Sequence, residues 1–158
     1  MPLVRICAGG LRGGRVVRFV PTATGFKTAV RRGGDYTGGM MHWSAIGAVA
    51  MALAVMLGAF GAHGLRDRLD AYSMGVYEKA VFYHFVHALG ILIVSMMRPV
   101  DGGRVCGLLG LGILLFSGSL YLLAVTGTRT LGMVTPFGGV AFIAGWLYLA
   151  YLVSAKTV

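Results

Sequence analysis

The sequence is poor in charged side chains: Asp, Glu, Lys and Arg make up only 12% of its 158 residues. A soluble domain normally carries roughly 25%, so the shortage argues against an ordinary water-soluble fold. Four runs contain none of these residues: 36–65, 80–97, 105–128 and 130–155. Each run contains enough apolar sequence for the ~20 residues that cross a bilayer core. We therefore predict an all-α fold, a four-helix transmembrane bundle. Its expected spans are about 43–62, 80–97, 105–125 and 137–153.

Cysteine is rare as well, and Cys7 and Cys106 alone cannot build a disulfide framework or a thiolate metal site. The sequence also lacks the Gly-x-Ser-x-Gly elbow, a phosphate-binding loop, His-Glu-x-x-His and any pair of acidic residues within a span. Ser117 and Ser119 flank Gly118 with no base near them in sequence, which favours helix packing and hydrogen bonding over nucleophilic chemistry. We expect no enzymatic activity and no cofactor.

Basic residues are abundant, but they cluster. The net charge is +9, and seven of the fourteen Lys and Arg residues lie in the first 32 positions. None is interleaved with aromatic residues as in an RNA-binding sheet, so we expect no nucleic-acid partner. The Gly/Arg-rich composition predicts a disordered tail at 1–39. Three interpretations remain open: an anchor for anionic lipid headgroups, an organellar presequence, or sequence upstream of a true start at Met40 or Met41.

The first span carries small residues at a regular interval of four, which predicts a helix-packing seam. Small side chains let membrane helices approach closely. The residues of this seam are Ala50, Ala54, Gly58 and Ala62. A cleaved signal peptide is the alternative, since residues 59–61 resemble a small-x-small site, but the apolar run exceeds the usual 7–15 residues of a signal core. We predict a retained span.

The segment 63–79 between the first two spans is charged and amphipathic. Apolar residues recur at helical spacing while three basic and three acidic residues point elsewhere, which predicts a short interfacial helix. The apolar positions are Leu65, Leu69, Tyr72 and Val76.

Three of the four histidines fall at this exit and re-entry: His63, His84 and His87. Ionisable residues at membrane depth often mark proton paths or ligand sites, and neutral histidine is a common metal ligand. His84 and His87 share a helix face, whereas His63 would have to converge on them from the first span. The competing interpretation, which we favour, is a hydrogen bond from each histidine to a neighbouring helix or helix end.

The orientation depends on the tail. With it, the amino-terminal side of the membrane carries ten Lys and Arg against four opposite, which predicts both termini inside. Without it the count is three against four, which decides nothing.

Several phrases resemble the YgdD-type family of small membrane proteins, classed as domain of unknown function 423. They are LGAFGAHGL at 57–65, YHFVHAL at 83–89, FSGSLY at 116–121, and TPFGG at 135–139 followed by GW at 145–146. The resemblance covers roughly 41–153 and implies a multi-pass protein of the bacterial plasma membrane, with relatives in eukaryotes. It implies no known activity, substrate or catalytic residue. Family members usually begin near the first span, which favours the later start.

Two classes of function follow. The first is a structural or accessory component that contacts the lipid bilayer and associates with another membrane protein or with further copies of itself. The second is a carrier of protons, metal ions or small solutes that uses the span-two histidines.

Overall fold

The computed structural model describes residues 17–21, 27–31, 36–99 and 101–155, with side chains from Met40 onward. The chain divides into two compact units, Met1–Thr37 and Gly38–Val158. The first unit contains a two-stranded antiparallel ribbon of β1 (Val17–Pro21) and β2 (Lys27–Arg31).

This ribbon departs from the disorder that the composition predicts for 1–39. Valine, which favours extended backbone, occurs in both strands, and Val17 pairs with Arg31 while Pro21 pairs with Lys27. Residues 36–39 of the predicted tail form the start of a helix, and residues 1–16, 22–26 and 32–35, which include Cys7, lie outside the described residues.

The second unit consists of helices. They are α1 (Tyr36–Phe60), α2 (Ala71–Met97), α3 (Gly102–Gly112), α4 (Gly118–Thr126) and α5 (Thr135–Ser154). A π-helical turn extends α1 through Gly61–Leu65, a second joins α3 to α4 through Ile113–Ser117, and a 3-10 turn precedes α5 at Arg129–Met133.

Within the described residues, four helical stretches are long and apolar enough to cross a membrane. They are Met40–Leu65, Ala71–Met97, Gly102–Thr126 and Arg129–Ser154. The predicted four-helix transmembrane fold is therefore confirmed.

The connection between the first two spans differs from the prediction. Instead of a separate interfacial helix, the chain turns at 66–70 and α2 begins at Ala71, nine residues before the predicted 80. Asp70 starts the helix by accepting the Ser73 N–H at 2.7 Å. Tyr77 is buried against Leu65 rather than lying on the membrane surface. This apolar contact draws the first turns of α2 into the bundle.

The Asp70 cap makes the start of α2 sensitive to acid. The Ser73 N–H bond holds the pKa of this carboxyl below its ordinary value. A lowered pKa means that the stabilisation is complete above the unfolded-state pKa and is lost as the pH falls through the folded-state pKa. We expect the melting temperature of the wild type in detergent to fall more steeply below about pH 4 than that of Asp70→Asn, which caps without titrating. Parallel pH profiles would contradict this.

The core is centred on α2, which contacts α3, α4 and the π-turn between them, while α3 packs against α5. The largest fully buried side chains include Ile91 and Val94 of α2 and Leu109 of α3. The close approach of α5 to the third span depends on glycines, which have no Cβ. A Cβ at Gly138 would collide with the backbone of Phe116, and one at Gly112 would collide with the ring of Phe142.

The packing face of α1 only partly follows the predicted seam. Ala54 is fully buried, and Ala50 and Gly58 are half-buried. Ala62, however, is exposed in the single chain and does not belong to the buried face of this helix. The buried positions recur every seven residues instead, at Gly47, Ala54 and Gly61.

Candidate functional site

His87 lies inside the bundle, with its ring stacked flat on Phe142 of α5. The two ring centroids are 3.4 Å apart and the planes differ by 13°. The imidazole Nδ1 lies 2.7 Å from the carbonyl oxygen of Tyr83, one turn earlier in α2. Because a carbonyl only accepts, Nδ1 must donate, which leaves Nε2 as the acceptor of a neutral ring. One ring nitrogen of His87 is therefore engaged in a hydrogen bond and one ring face in packing.

His84, one turn before His87, is also buried and faces α4. Its Nδ1 lies 3.4 Å from the Tyr121 hydroxyl, a long hydrogen bond, and the two rings meet edge to face. Tyr121 in turn packs against Tyr77 at 5.1 Å between centroids. The Tyr77 hydroxyl donates to the carbonyl oxygen of Leu57 at 2.8 Å. A continuous line of polar and aromatic side chains thus joins α4, α2 and α1.

Ser117 adds an unexpected polar group to this interior. It ends the π-turn of the third span and is fully buried, and its hydroxyl has no hydrogen-bond partner among the described residues. Neighbouring Ser119 differs, because it bonds to the Phe116 carbonyl and lies 2.9 Å from Thr135 Oγ1 at the start of α5. π-turns of this kind are frequent at functional sites.

His63 does not join the other two histidines. It is exposed in the π-turn after α1, while His84 and His87 are buried in the bundle. Across the part of the chain that the structure describes, no three His, Cys, Asp or Glu side chains lie close enough to hold a metal ion. The three histidines therefore do not converge on one ion in this structure.

Another polar contact joins helices near the opposite end of α2. Ser44 of α1 donates to Ser95 of α2 at 2.9 Å, and Ser95 donates to the Leu92 carbonyl. Cys106 is buried with its sulfur 3.8 Å from the Ile91 carbonyl oxygen.

An open groove of about 400 Å³ runs between the end of α1 and the first half of α2. Small residues of α1 and aromatic residues of α2 form its walls, and Glu78 is the carboxylate among them. The groove is lined by Gly58, Gly61, Ala62, Met74, Tyr77, Glu78, Val81, Phe82, Phe85 and Val86. Ala62 therefore borders this groove rather than a helix seam.

Tyr121 and Ser117 were not singled out as partners of the histidines in the sequence. The phrase FSGSLY at 116–121 contains both, but the antiparallel register that brings Tyr121 to His84 arises only when the two spans pack.

Comparison with known proteins assigns the chain to a family. Residues 57–139 match the family described as "Protein of unknown function (DUF423)". The chain belongs to the DUF423 family. Among its relatives, a UPF0382 membrane protein of Staphylococcus saprophyticus is 49% identical over 107 residues, which cover 66% of this chain and 89% of the relative. The UPF0382 membrane protein YwdK of Bacillus subtilis is 45% identical over 109 residues, with 66% and 89% covered. No solved structure matches the chain.

The DUF423 match contains His63, His84 and His87, and the relatives are named as membrane proteins. Together with the four apolar helical stretches, this identifies an integral multi-pass membrane protein of a family without an assigned function. The resemblance noted in the sequence is confirmed.

Proposed function

We propose that this DUF423 protein is an accessory component of the bacterial plasma membrane, without enzymatic activity, that assembles with another membrane-embedded chain. The observation that carries the proposal is that buried polar side chains are engaged in contacts within the bundle. The His87 ring is stacked on Phe142 and bonded to the Tyr83 carbonyl. The stack on Phe142 holds α2 against α5, while the bond to the Tyr83 carbonyl fixes the ring on its own helix.

Other buried polar side chains support the same role. The Tyr77 hydroxyl reaches the Leu57 carbonyl across α1 and α2, and the Ser44–Ser95 pair joins the same two helices. Ser119 and Thr135 join α4 to α5. Polar side chains that bond across helices contribute to bundle association in lipid.

The helix α1 offers a surface for such a partner. One face packs on α2, while the others expose large apolar side chains to the membrane. These are Ile46, Val49, Leu53, Val55, Met56 and Phe60. Lipid covers such a surface as well as protein does, so the proposal requires a direct test.

The test is site-specific photo-crosslinking in native membranes. A photoreactive residue at Val55 of α1 is expected to yield a discrete protein adduct. The matched control is Leu147 of α5, which is 66% exposed against 56% for Val55 and should give lipid adducts only. Protein adducts from neither position, or the same adducts from both, would contradict an assembly role for α1.

The second candidate is a carrier of protons, metal ions or small solutes. Two observations favour it: the Ser117 hydroxyl is buried without a partner among the described residues, and the His84–Tyr121 bond is long at 3.4 Å. Both leave hydrogen-bonding capacity inside the bundle, as a polar pathway requires. Flux measurements on reconstituted protein distinguish this candidate from the first.

A further inference from the structure

Glu78 and Lys79 are an adjacent pair of opposite charges beside the α1–α2 groove. Glu78 lines the groove, and Lys79 shares its helix face with Phe82 and Val86, two further lining residues three and seven positions later. Phe82 is 62% exposed and therefore projects from this surface. The surface thus has an apolar hollow, an aromatic projection and one charge of each sign.

Among the residues whose side chains the structure describes, neither charge has an ion-pair partner. The one ion pair among the described residues joins Arg104 to Asp101, at the other end of α2. Glu78 and Lys79 cannot pair with each other, since consecutive side chains on a helix point about 100° apart.

Both charges lie on the first turns of the second helical stretch. Glu78 is seven residues into α2, and with a rise of 1.5 Å per residue it lies roughly 10 Å beyond the start of the helix at Ala71. Both side chains are exposed on the surface of the chain, and charges that approach the apolar core of a membrane usually pair. A partner that carries an opposite charge at the same depth would therefore bind this surface favourably.

Symmetry shows how a second copy supplies it. Two copies inserted in the same direction are related by a two-fold axis along the membrane normal, so each residue meets residues of equal depth. Glu78 and Lys79 differ in depth by only about 1.5 Å. A two-fold contact is reciprocal, so an ion pair from Glu78 of one copy to Lys79 of the other is accompanied by the reverse pair, and each charge has one partner.

We propose that a second copy of this chain docks across the α1–α2 groove, with Phe82 of each copy against the groove of the other and two reciprocal Glu78–Lys79 ion pairs. This inference rests on the proposed assembly function and names the partner. Ala62 and Gly58 leave the hollow that receives the aromatic ring.

The test is a charge swap read out as dimer fraction. Full-length protein is labelled and reconstituted at low density in phosphatidylcholine vesicles, and dimers are counted by single-molecule photobleaching. Glu78→Lys and Lys79→Glu are each expected to lower the dimerisation constant about tenfold, because each replaces two attractions by two repulsions. The double variant Glu78→Lys/Lys79→Glu is expected to restore it. Arg129→Glu is the control for Lys79→Glu, since Arg129 is exposed, lies outside the groove and undergoes the same change from a positive to a negative charge.

A second variant fills the groove without changing any charge. Ala62→Phe places a ring in the groove from an exposed position and is expected to lower dimerisation while the melting temperature stays unchanged. Dimerisation that is insensitive to both single reversals, or a double variant no better than either single variant, would overturn the inference.

The inference and the proposed function can fail separately. If the Val55 crosslinker captures a different protein and the labelled chain stays monomeric, the second-copy inference is wrong and the accessory role stands. If the chain stays monomeric and Val55 yields no protein adduct, both are wrong.

Discussion

Gly138→Leu is expected to prevent α5 from packing and so to abolish the stable bundle. A Cβ at this position would lie 2.8 Å from Phe116 Cα and 2.7 Å from Phe116 Cβ, and would also meet the backbone nitrogen of Phe116. Overpacking normally costs about 1–3 kcal/mol when side chains can move aside. Here the obstacle is the backbone of the π-turn Ile113–Ser117, which cannot move aside as a side chain does, so we expect a loss well above that range and larger than that of any other substitution proposed.

The measurement is thermal unfolding in detergent, in a Trp43→Phe background so that the fluorescence reports Trp146 on α5 alone. Gly139→Leu is the matched control. A Cβ at Gly139 meets only the Phe116 ring, at 3.8 Å, which is ordinary van der Waals contact. We expect a small effect from this neighbouring glycine. Equal losses at the two positions would contradict the close approach of α5 to the third span.

His87→Ala is expected to be the second most damaging change. It removes the ring that stacks on Phe142 and leaves a cavity between α2 and α5, where substitution of a buried aromatic ring by Ala typically costs about 3–5 kcal/mol. His87→Phe keeps a ring of similar size and loses only the bond to the Tyr83 carbonyl, worth about 1 kcal/mol.

Chemical denaturation of the two variants in detergent measures the difference. We expect the free energy of unfolding to fall markedly for His87→Ala and only slightly for His87→Phe. If both variants lose the same stability, the hydrogen bond rather than ring packing would dominate at His87. If neither loses stability, His87 would not be a packing residue.

The four spans could be predicted from the sequence because a charge-free run of about 20 residues is itself the physical requirement for crossing a bilayer. The same reasoning placed the second span at about 80–97, or starting one turn earlier, and did not show that its helix begins at Ala71. It took Glu78 and Lys79 as a boundary, whereas the helix begins at the Asp70 cap and carries both charges with it. Charged side chains indicate which part of a helix is costly to bury in a membrane, whereas a capping residue such as Asp70 indicates where the helix begins.

The packing face of α1 shows a different limit. A repeat of four residues advances roughly 40° around the helix at each step, so a row that starts at Ala50 has turned well away from α2 when it reaches Ala62. A repeat of seven drifts by only about 20°. The buried row Gly47, Ala54 and Gly61 follows that repeat, and the π-turn that begins at Gly61 rotates Ala62 towards the groove.

The interior partners of the histidines depend on packing between spans and therefore could not be predicted. His84 and His87 are visible in the sequence as a pair on one helix face, but Phe142 and Tyr121 come from distant positions in the chain. Their contacts are set by where glycines such as Gly112 and Gly138 allow the helices to meet. The absence of a partner for Ser117 among the described residues follows from the local π-turn, which no sequence pattern indicated.

A structural role for the buried histidines is tested most directly by ion flux in liposomes that contain the purified protein. We predict that the wild type conducts no protons or divalent metal ions above empty liposomes at any pH between about 5 and 8, where a histidine pathway would respond. A flux that exceeds this background and is lost in the His84→Ala/His87→Ala double variant, but not in Arg129→Glu, would contradict the structural role and establish the carrier.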